Sequence, residues 1–316
     1  GWPARELHSC AIDSGGNISL AGGYIGIPSQ GDVRDAWRTT DYGRTWIRTT
    51  SNGGWDANSR HAAALAYTTT GKLLMASGDT VSGSYNLWTS PFDLWASNDL
   101  GSTWARNATP TPWGKYVYDF GLDEAGPGCA DIVQLSSGTL VLIGGNATVS
   151  SRDPAYVNAF SSTDDGVTWN KVNPSLTSIN PDVAWLYHTV DDFRTVVLPS
   201  NDEIVVAGYM MAYTHDAIYN STDGGSTWQV ATQTKTNDLS YLEFPYRTMF
   251  GMTVVKGNAN KDRIVVTGGR GFPVNYSNPL DCEYTSTTLT YLNDTWYSEN
   301  GGATWLSDRC DNRGAT

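Results

Sequence analysis

The stretch Ser221-Thr222-Asp223-Gly224-Gly225-Ser226-Thr227-Trp228 decides the fold, because the chain repeats it. The pattern Ser/Thr-x-Asp-x-Gly-x-Thr-Trp recurs at Thr39–Trp46, Ser97–Trp104 and Ser162–Trp169. A fifth copy, Ser298–Trp305, carries Asn300 in place of the aspartate. The copies stand about 60 to 80 residues apart, and such a period marks a repeat architecture. The chemistry is that of a tight hairpin. A carboxylate accepts backbone N–H bonds and closes the turn. Glycine supplies the positive φ, and the tryptophan opens the next strand with a large apolar surface.

Outward from each copy, short strands alternate with turn residues. The second repeat reads Arg60–Tyr67, the turn Thr70-Gly71, Lys72–Gly78, then Leu94–Ser97. Five such sets predict an all-β chain, a single β-propeller of five four-stranded antiparallel blades, with six as the alternative count. The blades fall at about 7–50, 60–108, 128–173, 187–232 and 246–309, in one domain over 1–316. Thirteen Trp, 17 Tyr and 33 Gly suit many short strands and tight turns.

The five copies resemble the Asp box of the sialidase-type (BNR) repeat family. That resemblance implies one box per blade, between its third and fourth strands, with Asp41, Asp99, Asp164, Asp223 and Asn300 as structural residues. The strand-two ends Gly22-Gly23, Gly78, Gly144-Gly145, Gly208 and Gly268-Gly269 are similar to those of kelch repeats, where paired glycines let blades pack closely. In an antiparallel blade the second-to-third connections share one rim, opposite the boxes. These are the long loops, and loops on a rigid scaffold carry function.

Sialidases hold a carboxylate with three converging arginines. The resemblance therefore implies Arg60, Arg194 and Arg247, each opening an inner strand, as ligand-binding residues; bidentate pairing is the physical reason. The alternative is a kelch-like structural role. No Tyr/Glu nucleophile pair stands out beyond Glu243 with Tyr246, so no catalytic residue is assigned. Asp32, Asp35, Asp79, Asp93, Asp123 and Glu124 are the loop acids that a glycosidase pair would draw on. Asp164-Asp165 and Asp191-Asp192 lack a calcium-loop motif, and His8, His61, His188 and His215 lack zinc spacing, so no metal or cofactor is expected. Loop aromatics such as Trp88, Trp113, Tyr116, Tyr209 and Phe272 suit sugar stacking or a protein interface.

Formal charge −12 argues against nucleic acid and anionic membranes as partners, and no apolar run is long enough for a bilayer. No signal peptide is visible. Cys10, Cys129, Cys282 and Cys310 lack metal spacing and fit two disulfides in a secreted chain: Cys282–Cys310 with Cys10–Cys129, or else Cys10–Cys310. Sequons begin at Asn17, Asn107, Asn146, Asn220, Asn275 and Asn293, and glycans are expected at Asn107, Asn146 and Asn275, which follow strands or lie in loops, ahead of Asn220 and Asn293 beside strand three. The incomplete catalytic constellation favours a secreted, non-enzymatic interaction or assembly module working through the loop face on protein or glycan partners, with self-assembly among its outcomes; the alternatives are a sialidase-like or other glycosidase and a lectin-like binder.

Overall fold

A computed structural model describes residues 2–25, 33–55, 60–82, 87–89, 93–113, 130–144, 158–172, 193–210, 215–233, 247–248, 250–257, 261–271, 274–275, 283–284 and 290–307. Its architecture is all-β, five four-stranded antiparallel blades of the β-propeller type. Blade one is Ser9–Ile12, Ile18–Ala21, Ala36–Thr39 and Ile47–Thr50. Blade two is Ala64–Tyr67, Leu73–Ala76, Leu94–Ser97 and Ala105–Arg106. Blade three is Ala130–Gln134, Leu140–Gly144, Asn158–Ser162 and Asn170–Lys171. Blade four is Phe193–Leu198, Glu203–Met210, His215–Ser221 and Gln229–Gln233. Blade five is Gly251–Lys256, Asp262–Thr267, Thr295–Ser298 and Leu306–Ser307. Blades one to three lie in one compact unit, Gly1–Ser175, and blades four and five in a second, Leu176–Thr316.

The five octapeptides fold alike, each between the third and fourth strands of its blade. In blade four, Asp223 Oδ1 accepts the Thr227 N–H (2.8 Å) and Oδ2 accepts the Thr227 hydroxyl (2.6 Å). Ser221 Oγ accepts the Gly225 N–H (2.9 Å), and the Trp228 indole donates to Gly225 O (3.0 Å). The tryptophan thus caps the turn, while the strand begins one residue later than the sequence suggests. Blade five keeps the geometry without the charge: Asn300 Oδ1 accepts the Thr304 N–H, and its Nδ2 donates to the Thr304 hydroxyl, both at 2.9 Å.

Apolar faces fill the gaps between neighbouring blades. Ala11, Ala21, Leu65 and Leu73 pack between blades one and two, Leu74, Leu94, Leu140 and Phe160 between two and three, and Val205, Ile218, Ile264 and Trp296 between four and five. Small residues in the inner strands let the sheets approach. A tryptophan after the outer strand wedges each of the first two gaps. Trp55, fully buried, meets Trp104 edge-on at 5.0 Å, and Trp113 meets Phe160 and Trp169 at 5.4 Å. Trp113 is therefore core, where the sequence put it on the recognition face; its register after a repeat strand is the signal that was missed.

The inner strand expected over Arg60–Tyr67 is broken. Ala62 sits at φ 52°, and the chain divides into Arg60–His61 and Ala64–Tyr67. Arg247–Thr248 is likewise separate from Gly251–Lys256. The detached entry pieces pair with the chain leaving strand two, at Arg60↔Thr80 and Arg247↔Gly271. Blade one has the same contact as the single bridge Glu6↔Tyr24. The long loops thus begin as small sheets above the blades.

Candidate functional site

Those entry pieces position the arginines. Arg60 lies four residues before strand one of its blade, and Arg247 holds the same place in blade five. Arg60 Nη1 and Nη2 donate to Asp93 Oδ1 and Oδ2 at 2.6 and 3.1 Å. Arg247 grips Asp294 in the same fork, at 2.9 and 3.0 Å, and also donates to Gly268 O. Both guanidinium side chains are wholly buried and their aspartates nearly so. The second carboxylate oxygen also accepts an indole N–H two residues on, from Trp95 at 2.7 Å and from Trp296 at 2.9 Å.

A third copy was missed in the sequence. Arg5, four residues before Ser9, forks onto Asp35 at 2.6 and 3.0 Å, donates to Gly22 O, and shares Asp35 with the Trp37 indole. The readable signal is an Asp-x-Trp whose aspartate stands four residues before the first residue of the octapeptide, matched to an arginine four before strand one. In numbers it is Asp35-x-Trp37, Asp93-x-Trp95 and Asp294-x-Trp296. Burial by itself raises the Asp35 carboxyl, but the bonds from Arg5 and Trp37 outweigh it and hold the group below the usual carboxylate range.

The glycine pairs complete the clamp. Gly22 has φ 62°, and a Cβ there would stand 2.3 Å from Arg60 O; Gly23 donates its N–H to that same carbonyl at 2.7 Å. The entry to blade two therefore rests on the glycine pair of blade one. Blade two uses Ser77-Gly78 for the same left-handed pair, at φ 56° and 92°.

These bonds take the donors that a ligand carboxylate would need from Arg60 and Arg247. Arg194 is not their equivalent. It is the second residue of strand one in blade four, pairs across to Ala207, and donates to Phe193 O at 2.7 Å. The three arginines predicted as a ligand clamp are thus two buried ion pairs and one strand residue. Among the loop acids, Asp35 and Asp93 are held as described. Asp79 is placed only as backbone of Asp79–Ser82, and Asp32, Asp123 and Glu124 fall outside the described residues, as do Asp191, Asp192, Glu243, Tyr246 and His188. Asp165 joins blade three to blade two through Thr70 and Lys72.

His61 is 1% exposed, meets the Tyr24 ring edge-on at 6.2 Å, and burial pushes its imidazole down to about 4. Among the described residues no three His, Cys, Asp or Glu side chains cluster as metal ligands. Cys10 is a free thiol, so neither Cys10–Cys129 nor Cys10–Cys310 forms here: its side chain sits on the alternate, solvent-open face of Ser9–Ile12. Its edge is open to solvent, yet the surrounding protein desolvates it enough to push the thiol up to about 11. Cys129, Cys282 and Cys310 lie outside the described residues. Of the sequons, Asn17, Asn107, Asn220 and Asn293 have described side chains, while Asn146 and the side chain of Asn275 do not.

No family model matches the chain, and no curated protein matches it. Solved structures do resemble it. YjhT superposes with a TM-score of 0.59 at 14% identity, over 96% of this chain and 83% of that one. The Hadza microbial sialidase Hz136 gives 0.57 at 17%, over 96% of this chain and 57% of the sialidase. An α-L-arabinofuranosidase from Fusarium graminearum gives 0.52 at 13%, over 95% and 79%. At such identities the likeness establishes the propeller fold.

Proposed function

We propose that this propeller is carbohydrate-directed and hydrolyses a glycosidic bond in a glycan that is not captured by a carboxylate. The observation that carries the reading is the end-to-end likeness to a sialidase and an arabinofuranosidase, each over at least 95% of this chain. The clamps narrow it. Sialidase-type capture needs free guanidinium donors, and those of Arg60 and Arg247 are filled by Asp93 and Asp294. Asp35, Asp93 and Asp294 are spent in the same bonds, so the two carboxylates of a glycosidase come from other loop acids. We read the five octapeptides as Asp boxes and the glycine pairs as kelch-like. An extracellular setting, with Cys282–Cys310 bridged, belongs to this reading. Incubation with a panel of neutral aryl glycosides and aryl sialosides tests it. Turnover of a neutral glycoside and none of the sialosides is expected; sialoside turnover, or none of any substrate, overturns it.

A second reading has its own support. Of the described acids, Asp35, Asp93 and Asp294, each just ahead of a third strand, are all engaged by an arginine and a tryptophan. A non-enzymatic extracellular interaction or assembly module needs no free acid pair. Glycan-array capture, or growth of assemblies in light scattering, without turnover of any glycoside would select it.

A further inference from the structure

Four sequon asparagines have described side chains, and the fold treats them differently. The atom that decides is Nδ2, through which an N-linked glycan is attached. Asn107 Nδ2 donates to Gly166 O and Val167 O at 3.3 and 3.0 Å, tying blade two to the octapeptide turn of blade three. Asn220 Nδ2 donates to Glu203 Oε1 at 2.7 Å across the blade-four hairpin. Asn17 Nδ2 donates to both oxygens of Asp13, which also holds Arg38. The hydroxyl of its sequon, Ser19, is 2% exposed and bonded to Tyr67 Oη at 2.7 Å. A sugar on Asn17 or Asn107 would take one of the two amide hydrogens that these bonds share, and one on Asn220 would crowd the Glu203 carboxylate.

Asn293 is the exception. It is exposed, just outside the clamped Asp294, and Thr295 supplies the sequon hydroxyl, which is exposed and pairs with that of Thr267 at 3.3 Å. Asp294 between them is turned inward by Arg247 and Trp296, so the intervening charge does not face the acceptor. We propose that Asn293 is an N-glycosylation site of the folded protein and that Asn17, Asn107 and Asn220 stay unmodified. In the step, the Asn293 amide nitrogen bonds to the anomeric carbon of an oligosaccharide carried on a lipid pyrophosphate. The carbon–oxygen bond to pyrophosphate breaks, the pyrophosphate leaves with the electron pair, and the amide loses a proton.

The assignment rests on the extracellular reading, yet the choice of site is tested apart from it. The full chain is secreted from a eukaryotic host, which supplies donor and transferase, and the folded product is mapped by glycopeptide mass spectrometry. Glycan at Asn293, none at Asn17, Asn107 or Asn220, loss of that glycan in Asn293→Gln and Thr295→Ala, and its retention in Thr295→Ser are expected. Both glycan-free variants should keep the parent's melting temperature. A bare Asn293 in the secreted folded protein, or glycan at any of the other three, overturns the assignment. Native material free of glycan alongside a modified recombinant Asn293 would count against the extracellular setting and not against the site.

Discussion

Blades two and four differ most where the second strand hands over to the third. In blade two the chain leaves Leu73–Ala76 through the left-handed pair Ser77-Gly78, and Arg60 locks the exit to Asp93. In blade four the ladder runs straight on through Gly208↔Ala217, Tyr209↔Asp216 and Met210↔His215. The sequence explains why. At the arginine and aspartate places, four residues before strand one and four before the octapeptide, blade four has Thr189 and Ala217, and blade three has Gly126 and Asn158. Both partners are present in blades one, two and five, and both are missing in blades three and four. That is the outcome expected of a buried pair, because either partner alone would be an uncompensated charge. In the clamped connections the arginine and the aspartate are engaged with each other. A ligand site has to use the connections that are not clamped.

The largest effect should come from breaking one clamp. Arg247→Ala leaves Asp294 buried without its counter-charge and should cost about 3–5 kcal/mol. Arg194→Ala, in the blade without a clamp, forfeits a hydrogen bond to Phe193 O and should cost about 1 kcal/mol. Denaturant midpoints of the two variants give the comparison; equal losses would remove the distinction between the blades.

Next comes the backbone. Gly78 stands at φ 92°, and a Cβ there would meet Ala63 Cβ and His61 O at 2.8 Å. Gly78→Ala combines a left-handed conformation with overpacking and should lose about 2–4 kcal/mol. Gly54 has φ 80° but open space around it, so Gly54→Ala should lose only about 1–2 kcal/mol. Thermal unfolding of both variants checks the order.

Much of this architecture was legible before the coordinates. The octapeptides placed five hairpins because their bonds are local, within four residues. The clamp was half legible. Asp93 and Arg60 stand 33 residues apart, and only strand register reveals that they meet. Arg5 was overlooked because its strand entry is a single bridge rather than a strand. Arg194 resembles Arg60 and Arg247 in sequence because an arginine within a strand and one preceding it look alike there. Trp113 reads as a surface aromatic until it is aligned with Trp55, each nine residues after the tryptophan of its octapeptide.

Acid should act through the turns that carry charge and spare the one that does not. The Thr45 hydroxyl and N–H hold Asp41 at about 2, and the Asp164 carboxyl, although burial alone raises it, is brought to about 2 by Thr168 and Ser162. Depressed folded-state values mean that this stability is present above the unfolded carboxylate range near 4. It is lost as the pH falls from there toward 2. Asp164→Asn, copying the neutral Asn300 turn, should flatten the acid limb of the stability curve, whereas Asn300→Asp should steepen it. Unfolding midpoints between pH 2 and 5 show which way each moves. The smallest effect is a gain: Ala62→Gly relieves a left-handed alanine at φ 52° and should stabilise by about 0.5–1 kcal/mol.

The clamp itself is tested most directly by a double-mutant cycle on Arg60 and Asp93, with Arg60→Met, Asp93→Leu and both together unfolded in denaturant. The account predicts that each single change is strongly destabilising and that the pair recovers most of the loss, with a coupling of about 2–3 kcal/mol. Additive losses, or an Arg60→Met protein as stable as its parent that no longer binds or turns over a carboxylate sugar, would contradict it and return Arg60 to the ligand.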